Sequence, residues 1–101
     1  MRLIYHPEAE LELIEAAQFY ERKVRGLGEQ FLSEFDAAVK RIQKSPDRWP
    51  AVTNAPCKLQ RFLMARFPYG IYYRVMGDEL RILVVKHHSR HPDYWKNRLK
   101  S

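Results

Sequence analysis

Residues Leu59 to Arg98 read LQRFLMARFPYGIYYRVMGDELRILVVKHHSRHPDYWKNR, and the fold turns on how this stretch divides. Met76-Gly77-Asp78-Glu79 sets Gly and Asp between two β-rich runs. Both residues tolerate positive φ, so the spacing predicts a hairpin. On the first arm, Tyr69, Ile71, Tyr73 and Val75 share one face, and Gly70, Tyr72 and Arg74 share the other, as a two-residue period requires. The second arm is apolar on both sides. Leu80, Ile82 and Val84 fall on one face, Leu83 and Val85 on the other, which predicts a strand central in its sheet. That strand runs into Lys86-His87-His88-Ser89-Arg90-His91, so a rigid element delivers a polar cluster at its carboxyl end.

Working outward, 101 residues suffice for a single domain with its own core, expected to span 1–101. A composition of 46% hydrophobic and 30% charged residues is that of a soluble globular chain and excludes a disordered one. No apolar run approaches the roughly 20 residues of a membrane-spanning helix, and Met1 leads straight into a strand-like segment. We therefore expect no membrane association and a cytoplasmic location. The single Cys57 cannot form an internal disulfide, in keeping with a reducing compartment. The net charge is +6. Its distribution is uneven: residues 1–50 carry eight basic and nine acidic side chains, and residues 51–101 carry ten and three. Basic charge and the strand cluster coincide, which points to a polyanion or an acidic protein as partner.

Upstream, Arg2-Leu3-Ile4-Tyr5 reads as a strand, and His6-Pro7-Glu8 opens a helix. Ala9, Leu13, Ala16, Ala17, Tyr20 and Val24 form its apolar stripe, with Leu11 and Phe19 outside it. Arg25-Gly26-Leu27-Gly28 breaks that helix. In a second helix, Gly28, Phe31, Leu32, Phe35, Ala38, Val39 and Ile42 share one face, and so short a connection predicts an antiparallel helix hairpin. Ser45-Pro46 ends it. The stretch 47–56 reads as a loop pinned by Trp49, an aromatic that either anchors the loop or offers a ligand platform. Lys58 to Ala65 is a further strand whose register its pattern does not set. The tail from Pro92, with Tyr94, Trp95, Lys96, Arg98 and Lys100, reads as a short basic helix or an irregular arm. The predicted class is α+β: an N-terminal strand, an α-helical hairpin, then a three-stranded antiparallel meander, with both helices on one face of the sheet and polar residues left to the other.

This order, with Arg66-Phe67-Pro68-Tyr69, Ile71-Tyr72-Tyr73-Arg74-Val75 and Ile82-Leu83-Val84-Val85-Lys86-His87, resembles the RelE/ParE superfamily of bacterial toxins from toxin–antitoxin operons. Phe19-Tyr20-Glu21 with Gly26-Leu27-Gly28, the run from Phe31 to Pro46, and His88-Ser89-Arg90-His91-Pro92-Asp93-Tyr94-Trp95 are similar to the ParE-like, "plasmid stabilisation" branch. The resemblance spans nearly the whole chain. It implies a growth inhibitor of a type II pair, held inactive by a cognate antitoxin whose flexible, often acidic segment wraps it, as a homodimer or a toxin–antitoxin hetero-oligomer. ParE-like members act on DNA gyrase without cutting nucleic acid, and RelE-like members cut mRNA on the ribosome.

Metal-independent RNA cleavage needs a base for the 2′-hydroxyl, a cation for the phosphorane and an acid for the leaving oxygen. Arg61, His87, His88, Arg90 and Tyr94 occupy the regions where the resemblance places such groups. Arg61 and Arg90 would hold phosphate, a histidine would move the proton, and Tyr94 would donate a second proton or stack on a base. Each has a plainer reading: Arg61 pairs with a helix carboxylate, His87 is a satisfied structural histidine, and Tyr94 with Trp95 fastens the tail to the sheet. The slightly acidic helical half departs from the lysine-rich helices of the nucleases and favours the gyrase mode. Arg66, Arg74, Trp95 and Arg98 are the candidate binding residues. No cofactor is expected and no metal, because the histidines follow a strand and there is one thiol. Sequence-specific DNA binding is not expected, since neither helix resembles a base-reading one. A non-toxic module that only pairs with an acidic partner is the remaining class.

Overall fold

The computed structural model describes residues 1–53 and 55–100. Residue 54, inside the loop expected at 47–56, and residue 101 lie outside the described residues, as does the Lys100 side chain. In chain order the elements are β1 (Arg2–Tyr5), α1 (Pro7–Lys23), α2 (Leu27–Lys44), a 3-10 turn (Pro46–Arg48), β2 (Gln60–Leu63), β3 (Tyr69–Met76), β4 (Glu79–His87) and a second 3-10 turn (Lys96–Lys100). The strands form one sheet in the order β1-β4-β3-β2. The three C-terminal strands are the expected antiparallel meander, and β1 returns to pair parallel with β4. That pairing makes β4 internal, and its nearly unbroken apolar run follows from burial on both faces.

Local chemistry sets the helix ends. The His6 ring caps α1 by accepting from the Glu8 amide at 3.1 Å, while Pro7 occupies the first turn, where no amide donor is needed. Gly26 adopts φ 86° before α2. Gly28 is required by space, because a Cβ there would lie 2.5 Å from the Ala17 carbonyl oxygen. The Glu21 carboxylate fixes this crossing by accepting from the amides of Gly26 and Gly28 at 3.0 Å, which ties the end of α1 to the start of α2.

The helices cover one face of the sheet, here called inner. Ala9, Ala16, Ala17, Phe31, Phe35, Ala38, Val39 and Ile42 pack on Phe62, Ile71, Tyr73, Leu80, Ile82 and Val85. Trp49 anchors its loop against this core, 4.9 Å from the Phe62 ring. In β2 the buried Gln60 donates from its amide to the carbonyls of Pro46 and Trp49, both at 2.8 Å. Burial and the charge of Asp47 push the Tyr73 phenol up to about 12, so its hydroxyl stays a donor to Pro46. Two helix assignments change. Leu32, expected on the buried face, is 42% exposed, and Val24 lies beyond the last turn of α1 in extended backbone at φ −145°.

The expected faces of β4 hold only for its first half. Tyr73 pairs with Ile82 but Tyr72 pairs with Val84, so Leu83 is an extra residue in the ladder. A bulge inverts the alternation beyond it. Val85 therefore joins Leu80 and Ile82 on the inner face, and Val84 joins Leu83 on the outer one. Nor is the outer face simply polar. Leu59, Tyr72, Leu83, Val84 and Trp95 form a second core, with Val52, Ala55, Tyr94 and Leu99 against it. The C-terminal segment is therefore packed on the sheet, not a free arm.

Candidate functional site

The polar cluster at the end of β4 is divided between two faces. With the alternation inverted at Leu83, His87 projects to the inner side, edge-on to the Tyr69 ring at 5.1 Å. Its Nδ1 accepts from the Ser89 amide at 3.0 Å, which leaves Nε2 as the protonated nitrogen of the neutral ring. His87 lines a groove of about 500 Å3 between α1 and the end of β4, together with Glu15, Phe19, Arg22, Tyr69 and Arg90.

His88 projects to the outer side. There it shares a depression of about 270 Å3 with Arg61, Leu63, Gly70, Tyr72 and Lys86. Gly70 forms the floor, where a Cβ would lie 3.2 Å from the Tyr72 ring. Lys86 is 7% exposed and donates to the His87 carbonyl at 3.2 Å. Burial pushes its ammonium down, and the charges of Arg61 and Arg90 add to that. His88 is pushed down likewise, by burial first and then by His87, Lys86 and Arg61. The outer depression is thus a cationic hollow with two titratable groups, His88 and Lys86, both pushed down.

Of the predicted catalytic residues, Arg61 and His88 come together, whereas His87 is on the opposite face. Arg90 and Tyr94 meet on Glu12, which lines the inner groove with His87 and whose side chain projects from α1 and is 9% exposed. The Glu12 carboxylate accepts from the Val85 amide at 3.0 Å, from Arg98 at 2.8 and 2.9 Å, from the Tyr94 hydroxyl, and from Arg90 at 3.4 Å. Arg98 also donates to the Leu83 carbonyl at 3.0 Å and reaches Glu8 at 2.9 Å. Burial pushes the Glu12 carboxyl up, but the hydrogen bonds from Arg98, Tyr94 and Val85 outweigh it and hold the group below its ordinary range. Burial and the bond to Glu12 push the Tyr94 phenol up, so it remains a donor. Arg90 stacks over the Tyr94 ring at 3.8 Å.

The predicted binding residues also separate. Trp95 is 2% exposed and sits beneath Tyr72, ring centres 5.3 Å apart, so it offers no surface, and Arg98 is buried with Glu12. Arg66 is exposed and paired with Glu34 at 2.9 Å, over the Phe67 ring. Arg74 lies on the outer face at the far end of the sheet, opposite Arg81. Sequence reasoning missed Lys86 and Glu12. Lys86 sits inside the quoted cluster, and strand alternation beyond a bulge would have placed it with Arg61. Glu12 carried no local signal, because its partners lie more than 70 residues away.

Among the described residues, no group of three or more His, Cys, Asp or Glu side chains is placed to hold a metal ion. No helix of the described residues is long and apolar enough to cross a membrane. The family model described as the ParE toxin of type II toxin–antitoxin systems, parDE, matches residues 3–92, and the chain belongs to this family. No curated protein matches it. Among solved structures it is similar to one described as the chromosomal ParDE TA system from P. aeruginosa, at 22% identity over 86% of this chain and 95% of that one, with a TM-score of 0.67. At that identity the likeness is one of fold, and it agrees with the strand, helix pair and meander described above.

Proposed function

We propose that this chain acts as the growth-inhibiting toxin of its pair by binding DNA gyrase, not by cutting mRNA, and that a cognate antitoxin with an acidic segment neutralises it. The observation that carries the choice is the separation of the proton-transfer candidates. Cleavage of a phosphodiester needs a base and an acid on either side of one phosphorus. His87 and His88 diverge to opposite faces, and the Tyr94 hydroxyl is held as a hydrogen-bond donor to Glu12. Of the histidines and the tyrosine, His88 alone is left beside Arg61 and Lys86. Such a hollow holds an anion, while His87 and Tyr94, the other proton-transfer candidates, lie elsewhere. The excess of basic residues in the second half of the chain supports an acidic antitoxin.

The test is induced expression in a bacterial host without antitoxin, with growth, primer extension on abundant transcripts, and gyrase supercoiling by the purified protein followed together. Arrest with intact transcripts and inhibited supercoiling is the expected result, and it should persist in His87→Ala and His88→Ala. Codon-phased transcript cuts that vanish in Arg61→Ala or His88→Ala would replace this reading with a ribosome-dependent ribonuclease. Normal growth with soluble protein accumulating would leave only a partner-binding module.

A further inference from the structure

On the outer face, beyond the Trp95 core from His88, the sheet carries a second hollow of about 200 Å3. Its floor is aliphatic, formed by Ile4, Leu83 and Leu99, and Arg74 and Arg81 stand at its rim. These two arginines are direct cross-strand neighbours in the β3–β4 ladder. Like charges in that position repel. Arg81 is partly compensated by Glu79 at 2.8 Å, but Glu79 is shared with Arg2. Arg74 has no ion pair or hydrogen bond among the described residues. Asp47, across a neighbouring hollow, pairs with Lys58 at 3.8 Å instead. Arg98, also at the hollow, is matched by Glu8 and Glu12.

We infer that the hollow ringed by Arg74 and Arg81 is a docking site for an acidic peptide segment, in which an aliphatic side chain enters over Ile4, Leu83 and Leu99 while an adjacent carboxylate bridges the two guanidiniums. Its shape matches those two chemistries side by side, an apolar floor for one and a cationic rim for the other. The volume suits one side chain of leucine size with its neighbouring carboxyl group. A guanidinium pair facing an apolar surface binds a carboxylate more selectively than exposed lysines do, because the planar forks match its two oxygens. The bound carboxylate also removes the repulsion between Arg74 and Arg81. The inference deepens the antitoxin half of the functional reading and is independent of gyrase.

The probe is N-acetyl-leucine, which carries an isobutyl group beside a carboxylate, with N-acetyl-leucinamide as its neutral counterpart. Both are titrated into the full chain and followed by nuclear magnetic resonance at the Arg74 and Arg81 Nε–H groups and the Ile4 and Leu83 methyls. Saturable shifts at these groups are expected with a Kd of about millimolar for so small a ligand. The amide should bind about 10-fold more weakly, and Arg74→Met should weaken the acid by about 10-fold. The same variant should leave Tm unchanged or raise it by about 1–2 °C, because it removes a like-charge neighbour. Equal binding of acid and amide would overturn the inference, as would shifts gathered at Arg61, Lys86 and His88. A Tm lowered by several degrees in Arg74→Met would make Arg74 structural. A 12-base-pair duplex that shifts Arg74 and is not displaced by N-acetyl-leucine would assign the hollow to nucleic acid. None of these outcomes depends on whether the protein inhibits gyrase.

Discussion

The two faces of the sheet are built by different means. The inner face is closed by two helices and a continuous apolar core in which Phe31 alone touches the rings of Tyr20, Phe35, Phe67 and Tyr69. The outer face is closed by a short tail around Trp95, and cations flank that plug at both ends. One buried carboxylate, Glu12, ties the tail down. Hydrophobic burial is additive and spread over many residues, so the inner face tolerates local change in proportion to the area lost. A charge network concentrated on one group fails when that group is removed. The same chain thus places its stability on one side of the sheet and its unpaired charge on the other.

The largest expected effect tests the inner side. Phe31→Ala should cost about 3–5 kcal/mol in urea denaturation, since the ring is fully buried and its neighbours cannot collapse into the space. A loss under 1 kcal/mol would mean that the helices are not the main source of stability. Next is Glu12→Ala, which leaves Arg98, Tyr94 and the Val85 amide without their shared acceptor and should cost about 3 kcal/mol. Its effect should be local. Amide exchange at Val85 and tryptic cutting at Arg90 and Arg98 should accelerate while exchange in α2 changes little, and uniform acceleration would show that the faces are not separable.

The same network sets a pH window. Glu12 titrates lower in the folded protein than its ordinary 4.5, so its contribution is present above that pH and is lost as pH falls through the folded value. Tyr94 titrates above its ordinary 10.0, so its contribution is complete below pH 10 and is lost as pH rises through the folded value. Trp95 emission in a Trp49→Phe background should therefore be flat between about pH 5 and 10 and change outside it. A transition near neutrality would point to a histidine in place of this pair. Tyr94→Phe should cost about 1–2 kcal/mol and abolish the alkaline transition, extending that plateau, because the group whose ionisation ends it is gone. Smallest is Arg66→Ala, where an exposed pair with Glu34 should contribute at most about 1 kcal/mol, readable as a small shift of the urea midpoint.

What could be read from residues alone follows the same division. Element order, the hairpin at Gly77 and the helix crossing at Gly26 to Gly28 rest on local period and turn chemistry, and the structure places them as expected. The two faces of β4 were misjudged past Leu83, because a bulge depends on how the neighbouring strand pairs and leaves no mark in an apolar run. Everything that depended on parity moved with it, including which of His87 and His88 faces the helices. Leu32 differs for another reason: it lies on the helical apolar stripe, but among the described residues that edge of α2 is left exposed. Glu12, a charged residue flanking an apolar stripe, looks like any solvated glutamate until the tail returns to meet it.

The Glu12–Arg98 pair has one more consequence. β1 ends at Tyr5, so β4 continues past its neighbour with an unpaired edge from Leu83 onward. The Glu12 carboxylate accepts from the Val85 amide and the Arg98 guanidinium donates to the Leu83 carbonyl, in place of bonds a neighbouring strand would have made. Side chains cannot pass that pairing on to another chain. The end of β4 is therefore closed to an added strand, and on this side of the sheet the edge left open to another chain is that of β1.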